Sequence, residues 1–175
     1  MWGECNNVQN NYYRWNSSLF TSTISTVDSS LYEGNDMRPK KIDVYINIAK
    51  EIASLSTCDR AMVGCVLVKN GRIIASGYNG SLSGHKHCDD VGHMLVDGHC
   101  IRSVHAEQNA LMVCAKNGIK VDGCVAVCTH SPCPICTKLL IQAGIHEIVY
   151  DQPYRIEENP FKSYTIFIPK EQYDT

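Results

Sequence analysis

His105, Glu107, Cys133 and Cys136 carry the residue types of a catalytic metal site. One imidazole and two thiols are ordinary zinc donors, and two Cys three residues apart fall on one face of a helical turn. Three protein donors leave a tetrahedral ion with one open position, which a catalytic centre needs and a structural one avoids. Glu107, two residues beyond the imidazole, can reach a water in that position without binding the metal. A carboxylate beside an activated water is the equipment of a hydrolytic proton shuttle. Magnitude requires the metal: zinc brings the pKa of water from about 15.7 to about 7, worth about 12 kcal/mol at about 1.36 per unit. No side chain of the segment does that unaided.

Cys-x-x-Cys alone suits a buried pair or a redox dithiol equally well. The added His-x-Glu, with 24 residues between Glu107 and Pro132, favours a metal-assisted hydrolase. The full H-x-E…P-C-x-x-C pattern is the signature of zinc nucleobase deaminases. Pro132 and Pro134 suit a first helical turn, so both thiols should sit near a helix N-terminus, where the backbone dipole favours thiolates. Residues two apart do not share a helix face. His105 and Glu107 therefore converge only if the metal lies at the very start of their helix. Two helix N-termini would then meet over one ion.

The elements that must position these groups follow from periodicity. Ile42, Tyr45, Ile46, Ala49, Ile52 and Ala53 recur at helical spacing across 40–56. Val63 to Lys69 reads as a buried strand, Asn70-Gly71 as a hairpin turn and Arg72 to Tyr78 as the returning strand, closed by a second tight turn at Asn79-Gly80. Residues 81–103 are irregular and crowded with His, Cys, Asp and Gly. A helix follows over 104–116 and ends at Asn117-Gly118. Then come a strand over 124–129, a helix over 132–143 stopped by Gly144, and strands over 147–150 and 164–168. Strands alternating with helices predict a three-layer α/β/α domain on a mixed sheet.

A chain of 175 residues is one domain by length. Residues 1–36, rich in Asn, Ser and Thr, read as a poorly ordered or docking N-terminal extension, and 37–175 as the catalytic domain. The net charge of −2 argues for a small substrate over a polynucleotide, whose binders are usually basic. Ten Cys could mean a disulfide scaffold, but the N-terminus, with no basic region followed by an apolar run and cleavage site, argues against secretion, and no apolar run is long enough for a membrane span. Cys65, Cys114, Cys124 and Cys128 fall in apolar runs and read as core residues of a reduced, cytoplasmic protein (host cytoplasm if viral).

Over 40–162 the sequence resembles the deoxycytidylate (dCMP) deaminases of the cytidine deaminase superfamily, in its bacterial and phage branch. The resemblance rests on Cys58-Asp59-Arg60, Gly77-Tyr78-Asn79-Gly80, His87-Cys88-Asp89, His99-Cys100-Ile101-Arg102, His105-Ala106-Glu107, Pro132-Cys133-x-x-Cys136 and Tyr154-Arg155. It implies a cytidine-deaminase-like fold with a central mixed five-stranded sheet. It also implies conversion of dCMP to dUMP and ammonia, supplying dUMP for thymidylate synthesis, with dCTP as a further substrate of a bifunctional enzyme. His105, Cys133 and Cys136 would hold one catalytic Zn2+ per subunit. Glu107 would protonate ring nitrogen three and then the leaving amine. The Ala106 backbone would contact the base and Tyr154 would stack on it. Arg155, Arg60 and His99 would hold the 5′-phosphate, and Asn79 the sugar hydroxyl.

The resemblance further implies a homo-hexamer, activated by dCTP and inhibited by dTTP near the Gly77–Gly80 loop, with Mg2+ accompanying a nucleotide effector. Cys58, Cys88 and His93 are the core of a second, structural zinc site, or else part of a hydrogen-bonded loop that shapes the nucleotide site. A tRNA adenosine or single-strand DNA deaminase would use the same zinc core with a basic, aromatic groove. A free-nucleoside deaminase would not need Arg60 and Arg155. A nucleotide-sensing module would not need Glu107.

Overall fold

The computed structural model describes residues 38–173, so the expected extension over 1–36 lies outside the described residues. The chain runs α1 (Lys41–Ala53), β1 (Gly64–Lys69), β2 (Arg72–Tyr78), β3 (Gly80–Ser81), α2 (Cys88–Val91), β4 (Leu95–Val96), β5 (His99–Cys100) and β6 (Ser103–Val104). It continues through α3 (Ala106–Asn117), β7 (Val125–His130), α4 (Pro134–Gln142), β8 (Glu147–Gln152) and β9 (Ile166–Pro169), with short 3-10 turns around β9. Five strands form one mixed sheet in the order β2-β1-β7-β8-β9. β1 is antiparallel to β2 and β7, whereas β7, β8 and β9 are mutually parallel.

Alternation along the strands divides the core in two. Cys65, Leu67, Ala126, Cys128 and Ile148 pack with Ala110, Leu111 and Cys114 of α3 and Leu140 of α4. Val66, Val68, Val127 and Val149 turn to the opposite face and meet Ile42, Ile46 and Ala49 of α1. The two-residue period of a strand thus feeds two helical layers from one set of strands, and the result is the α/β/α sandwich. Cys65, Cys114, Cys124 and Cys128 are all buried in the first cluster.

The Asn70-Gly71 turn forms as its sequence demands, with both residues at positive φ (50° and 71°). Asn79-Gly80 differs from expectation. Neither residue has positive φ, and the chain runs on into β3, which pairs with β6. Gly80 is there for space, since a Cβ would come within 2.9 Å of Thr57 Oγ1. The stretch over 81–103 is also more ordered than its composition implies. α2 and a small hairpin interrupt it, with Val96 opposite His99 across Asp97-Gly98, both at positive φ.

The end of β8 is fastened to the α1 face by a charge cluster. Asp151, its side chain 6% exposed, pairs with Lys50 of α1 at 2.8 Å and with Lys170 after β9. Burial pushes the Asp151 carboxyl up, but hydrogen bonds from Lys170 and Lys50 prevail and hold it at about 2. That lies below the unfolded value of about 3.9, so the cluster stabilises the fold fully above about pH 4 and loses its effect as pH falls through about 2. Asp151→Asn is expected to cost about 1–2 kcal/mol at pH 7, a modest figure because both lysines remain partly in water. Urea midpoints of wild type and variant at pH 7 and pH 3 check this, and the gap should narrow at the lower pH.

Candidate active site

α3 and α4 begin side by side beyond the C-terminal end of β7. His105 precedes α3 as its N-cap residue with extended backbone (φ −72°, ψ 158°), and its N–H donates to Gln108 Oε1 at 3.1 Å. Cys133 precedes α4 in the same way (φ −66°, ψ 164°), with Pro134 as the first helical residue. His105 Nδ1 lies 3.5 Å from Cys133 Sγ and 3.4 Å from Cys136 Sγ. Zinc–nitrogen and zinc–sulfur bonds of about 2.1 and 2.3 Å at a tetrahedral angle separate the donors by about 3.6 Å. The imidazole therefore sits at a separation from each sulfur that one zinc ion can span, and all three donor atoms lie within 4.8 Å of one another.

The protonation of the cluster suits metal capture. A hydrogen bond from Cys136 holds the Cys133 thiol down at about 4, and the His105 imidazole adds to this against the effect of burial. Cys136, which gives that bond and is wholly buried, is pushed up. The bond to Cys133 raises His105. Zinc is held by thiolates and a neutral imidazole, so a cation that binds here displaces protons from these donors. Glu107, 3% exposed on the first turn of α3, is not part of the donor set. Burial pushes its carboxyl up, so it keeps a proton at higher pH than an exposed glutamate.

The start of α3 is set by close backbone contact with β2. A Cβ on Gly77 would come within 2.3 Å of the Ala106 carbonyl oxygen and 2.5 Å of the Ala110 nitrogen, so only glycine lets the helix sit there. Asn109 Nδ2 donates to the Tyr78 carbonyl at 2.7 Å and fixes the register. Residues of the Gly77–Gly80 stretch thus act on the metal site through the helix that carries His105 and Glu107.

An open cleft of about 360 Å³ lies over these groups, a size suited to a small molecule. Arg60, Asn79, His99, Ala106, Glu107 and Tyr154 line it. Arg155 does not line it: its guanidinium lies over the Tyr154 ring, 5.5 Å from the centroid. The Asn79 amide is engaged at both ends, accepting from the Val63 N–H at 2.8 Å and donating to the Ala61 carbonyl at 2.8 Å. Arg60 donates to the Gly98 carbonyl at 3.0 Å, which ties the cleft to the β4–β5 hairpin.

His130 and Ser131 also line the cleft, and sequence reasoning passed over them. A signal was available, because they end one parallel strand beside another, and ligands gather at such carboxyl ends. Burial lowers the His130 pKa, and its Nδ1 lies 3.1 Å from Thr129 Oγ1. Cys58, Cys88 and His93 form a second cluster with donor atoms within 4.8 Å of one another.

The sequence pattern of the family described as cytidine and deoxycytidylate deaminase zinc-binding region matches residues 39–152. The chain belongs to that family. The chain is 46% identical over 104 residues to ComE operon protein 2 of Bacillus subtilis, a match covering 59% of the chain and 55% of that relative. It therefore spans about half the length of that protein. It is 32% identical over 152 residues to the deoxycytidylate deaminase of Enterobacteria phage T2, covering 65% of this chain and 81% of the phage protein. Among solved structures it resembles the dCMP deaminase of cyanophage S-TIM5 in complex with dCMP and dUMP. The TM-score is 0.65 at 37% identity, covering 76% of this chain and 98% of that one. No helix among the described residues is long and apolar enough to cross a membrane.

Because Gly77 sets the start of α3, Gly77→Ala should shift His105 and weaken zinc retention by about tenfold or more, the effect of disturbing support around a metal ligand. Competition with a chromogenic chelator measures this directly.

Proposed function

We propose that this deaminase converts dCMP and water to dUMP and ammonia. The observation that carries the reading is a buried Glu107 beside a three-donor zinc set, at the base of a cleft that also presents Arg60, His99 and Tyr154. The likeness to phage dCMP deaminases supports it. His105, Cys133 and Cys136 hold the zinc. When bound, that ion supplies a water whose pKa is lowered to about 7.

Glu107 takes a proton from the attacking water and delivers it to ring nitrogen three of cytosine. It then carries a second proton to the exocyclic nitrogen, which leaves as ammonia while the carbon–oxygen bond becomes the uracil carbonyl. Burial of the carboxyl, which raises its proton affinity, suits a group that must hold the proton between these transfers. The Ala106 backbone, wholly buried at the cleft, contacts the base. The Tyr154 ring stacks on it. Arg60 and His99 hold the phosphate, Arg155 adds positive charge beside Tyr154, and Asn79 shapes the sugar end.

We also propose a structural zinc on Cys58, Cys88 and His93, whose donor atoms lie within 4.8 Å of one another, with Cys100, next to Cys88, moving in as the fourth donor when the ion binds. Support comes from spacing: Cys58 Sγ is 3.9 Å from His93 Nδ1 and Cys88 Sγ is 3.7 Å from Cys100 Sγ, near the tetrahedral edges of about 3.6 and 3.8 Å. His93 Nε2 is 2.9 Å from Asp59 Oδ1, as a ligating imidazole needs on its far nitrogen. Burial works against the Cys100 thiolate, yet backbone hydrogen bonds at Arg102 and Met94 hold its pKa at about 6.

Ammonia release from dCMP, dCTP, deoxycytidine and a cytosine-containing oligonucleotide tests the activity, with dCTP, dTTP and Mg2+ then titrated as effectors. dCMP should turn over and deoxycytidine should not. Glu107→Ala should lower kcat by about 10³-fold or more, and Arg60→Ala should raise KM for dCMP by about tenfold. Turnover confined to the nucleoside or the oligonucleotide would overturn the reading. Metal analysis should give two zinc ions per chain, falling to one in Cys88→Ser. A single zinc in wild type would dispose of the structural site.

A further inference from the structure

We propose that Ser131 and Asn159 are positioning residues that clamp residues 153–159 into an arch over the cleft, and that this arch sets substrate affinity through Tyr154. The inference rests on the proposed role of Tyr154 against the nucleotide. It concerns a segment beyond the family match, which ends at residue 152.

The first foot of the arch prolongs the sheet with a side chain. Regular β7–β8 pairing ends at His130 opposite Gln152, and one more rung follows, from the Ser131 N–H to the Gln152 carbonyl at 2.9 Å. The Ser131 hydroxyl then does the work of a strand. Its Oγ accepts the Tyr154 N–H at 2.6 Å and donates to the Tyr154 carbonyl at 3.1 Å. Both backbone polar groups of Tyr154 are thus held by one hydroxyl, on a residue only 2% exposed. Tyr154 itself lines the cleft and is 42% exposed.

The second foot lands on the adjacent residue. Asn159, 3% exposed, donates from Nδ2 to the Pro132 carbonyl at 3.3 Å and to Thr137 Oγ1 at 2.8 Å. Its Oδ1 accepts the Phe161 N–H at 3.0 Å. Thr137 itself donates to the Pro132 carbonyl at 3.3 Å, so Asn159 is locked to the helix that carries Cys136. Between the feet Arg155 takes a left-handed conformation (φ 43°, ψ 34°), which an L residue adopts only when its surroundings impose it. Imposing it here turns the chain back toward Pro132 and leaves the Arg155 guanidinium over the Tyr154 ring.

Two buried polar side chains, one at each foot, hold a segment whose outward feature is an aromatic ring at the cleft: Ser131 grips its backbone, and Asn159 anchors its end to Pro132 and Thr137. A ring fixed in advance binds a base without the cost of ordering a loop, so the clamp acts on binding more than on chemistry. The feet rest on the two residues before Cys133, which ties the substrate wall to the metal helix.

The test uses the zinc-loaded full chain, with Ser131→Ala, Asn159→Ala, Tyr154→Ala, the Ser131→Ala/Tyr154→Ala pair and Ser131→Thr. Amide hydrogen exchange over 153–159 should quicken in Ser131→Ala and Asn159→Ala while β1 stays protected and zinc content holds. Both variants should raise KM for dCMP more than they lower kcat, by about tenfold for a lost bond or two, and Ser131→Thr should recover most of it. The pair should bind dCMP no more weakly than Tyr154→Ala alone, because Ser131 acts through that ring. Unchanged exchange over 153–159, or KM effects of Ser131 and Tyr154 that multiply, would overturn the clamp. If wild type releases no ammonia from dCMP, the activity reading falls, and the exchange result still decides the clamp.

Discussion

Two helices start at one point, and the rest of the structure serves that meeting. His105 and Cys133 stand at the N-caps of α3 and α4 with extended backbones, and the imidazole nitrogen lies at near-tetrahedral separation from both sulfurs. A helix N-terminus carries partial positive charge and unsatisfied N–H groups, so thiolates and a buried carboxylate are tolerated there. The arrangement demands accuracy from elements far apart in sequence. α4 is aimed by the β7–α4–β8 crossover, α3 by the contact of Gly77 with Ala106 and Ala110. A sheet that is mixed and not wholly parallel lets β2 return beside β1 through a two-residue turn while β1 pairs with β7 on its other side, and so places Gly77 under α3.

Around that point the molecule separates tasks by depth. The deepest layer holds the metal donors and Glu107 at the N-caps and first turns of two helices. Above it, loops supply what a substrate would meet: Arg60 and Asn79 from the α1–β1 and β2–β3 connections, His99 from the small hairpin, Tyr154 from the segment after β8. Each loop is itself tied down. Arg60 bonds to Gly98, Asn79 bridges Ala61 and Val63, and Ser131 holds both backbone groups of Tyr154. Buried polar groups need partners, and here the partners that satisfy them also fix the shape of the cleft.

The Cys and His side chains outside the catalytic set divide in the same physical way. Cys65, Cys114, Cys124 and Cys128 are core packing; burial raises the thiol pKa of Cys114 and Cys124, and a hydrogen bond with Cys65 together with burial raises that of Cys128. Cys100 sits where backbone hydrogen bonds favour the thiolate, beside Cys88 and near His93. Chemical type is the same in both groups. The surroundings determine which stay protonated and inert and which favour the thiolate.

What was legible from sequence was whatever is written locally. The period-2 and period-3.6 patterns gave α1, β1, β2 and the two later helices within a few residues, and Asn70-Gly71 gave its turn. The residues His105, Glu107, Cys133 and Cys136 identified themselves by type and spacing. Local chemistry also misled, as at Asn79-Gly80, where a turn dipeptide is held extended by Val63 and Thr57. Only the tertiary structure decided that Gly77 is required by a helix 30 residues later, that His130 and Ser131 border the cleft, and that Arg155 rests on Tyr154 instead of lining it. Those facts depend on strand register and on side chains bonding to distant backbone. A sequence fixes them only through the packed whole, because neither partner of such a contact carries a mark of the other.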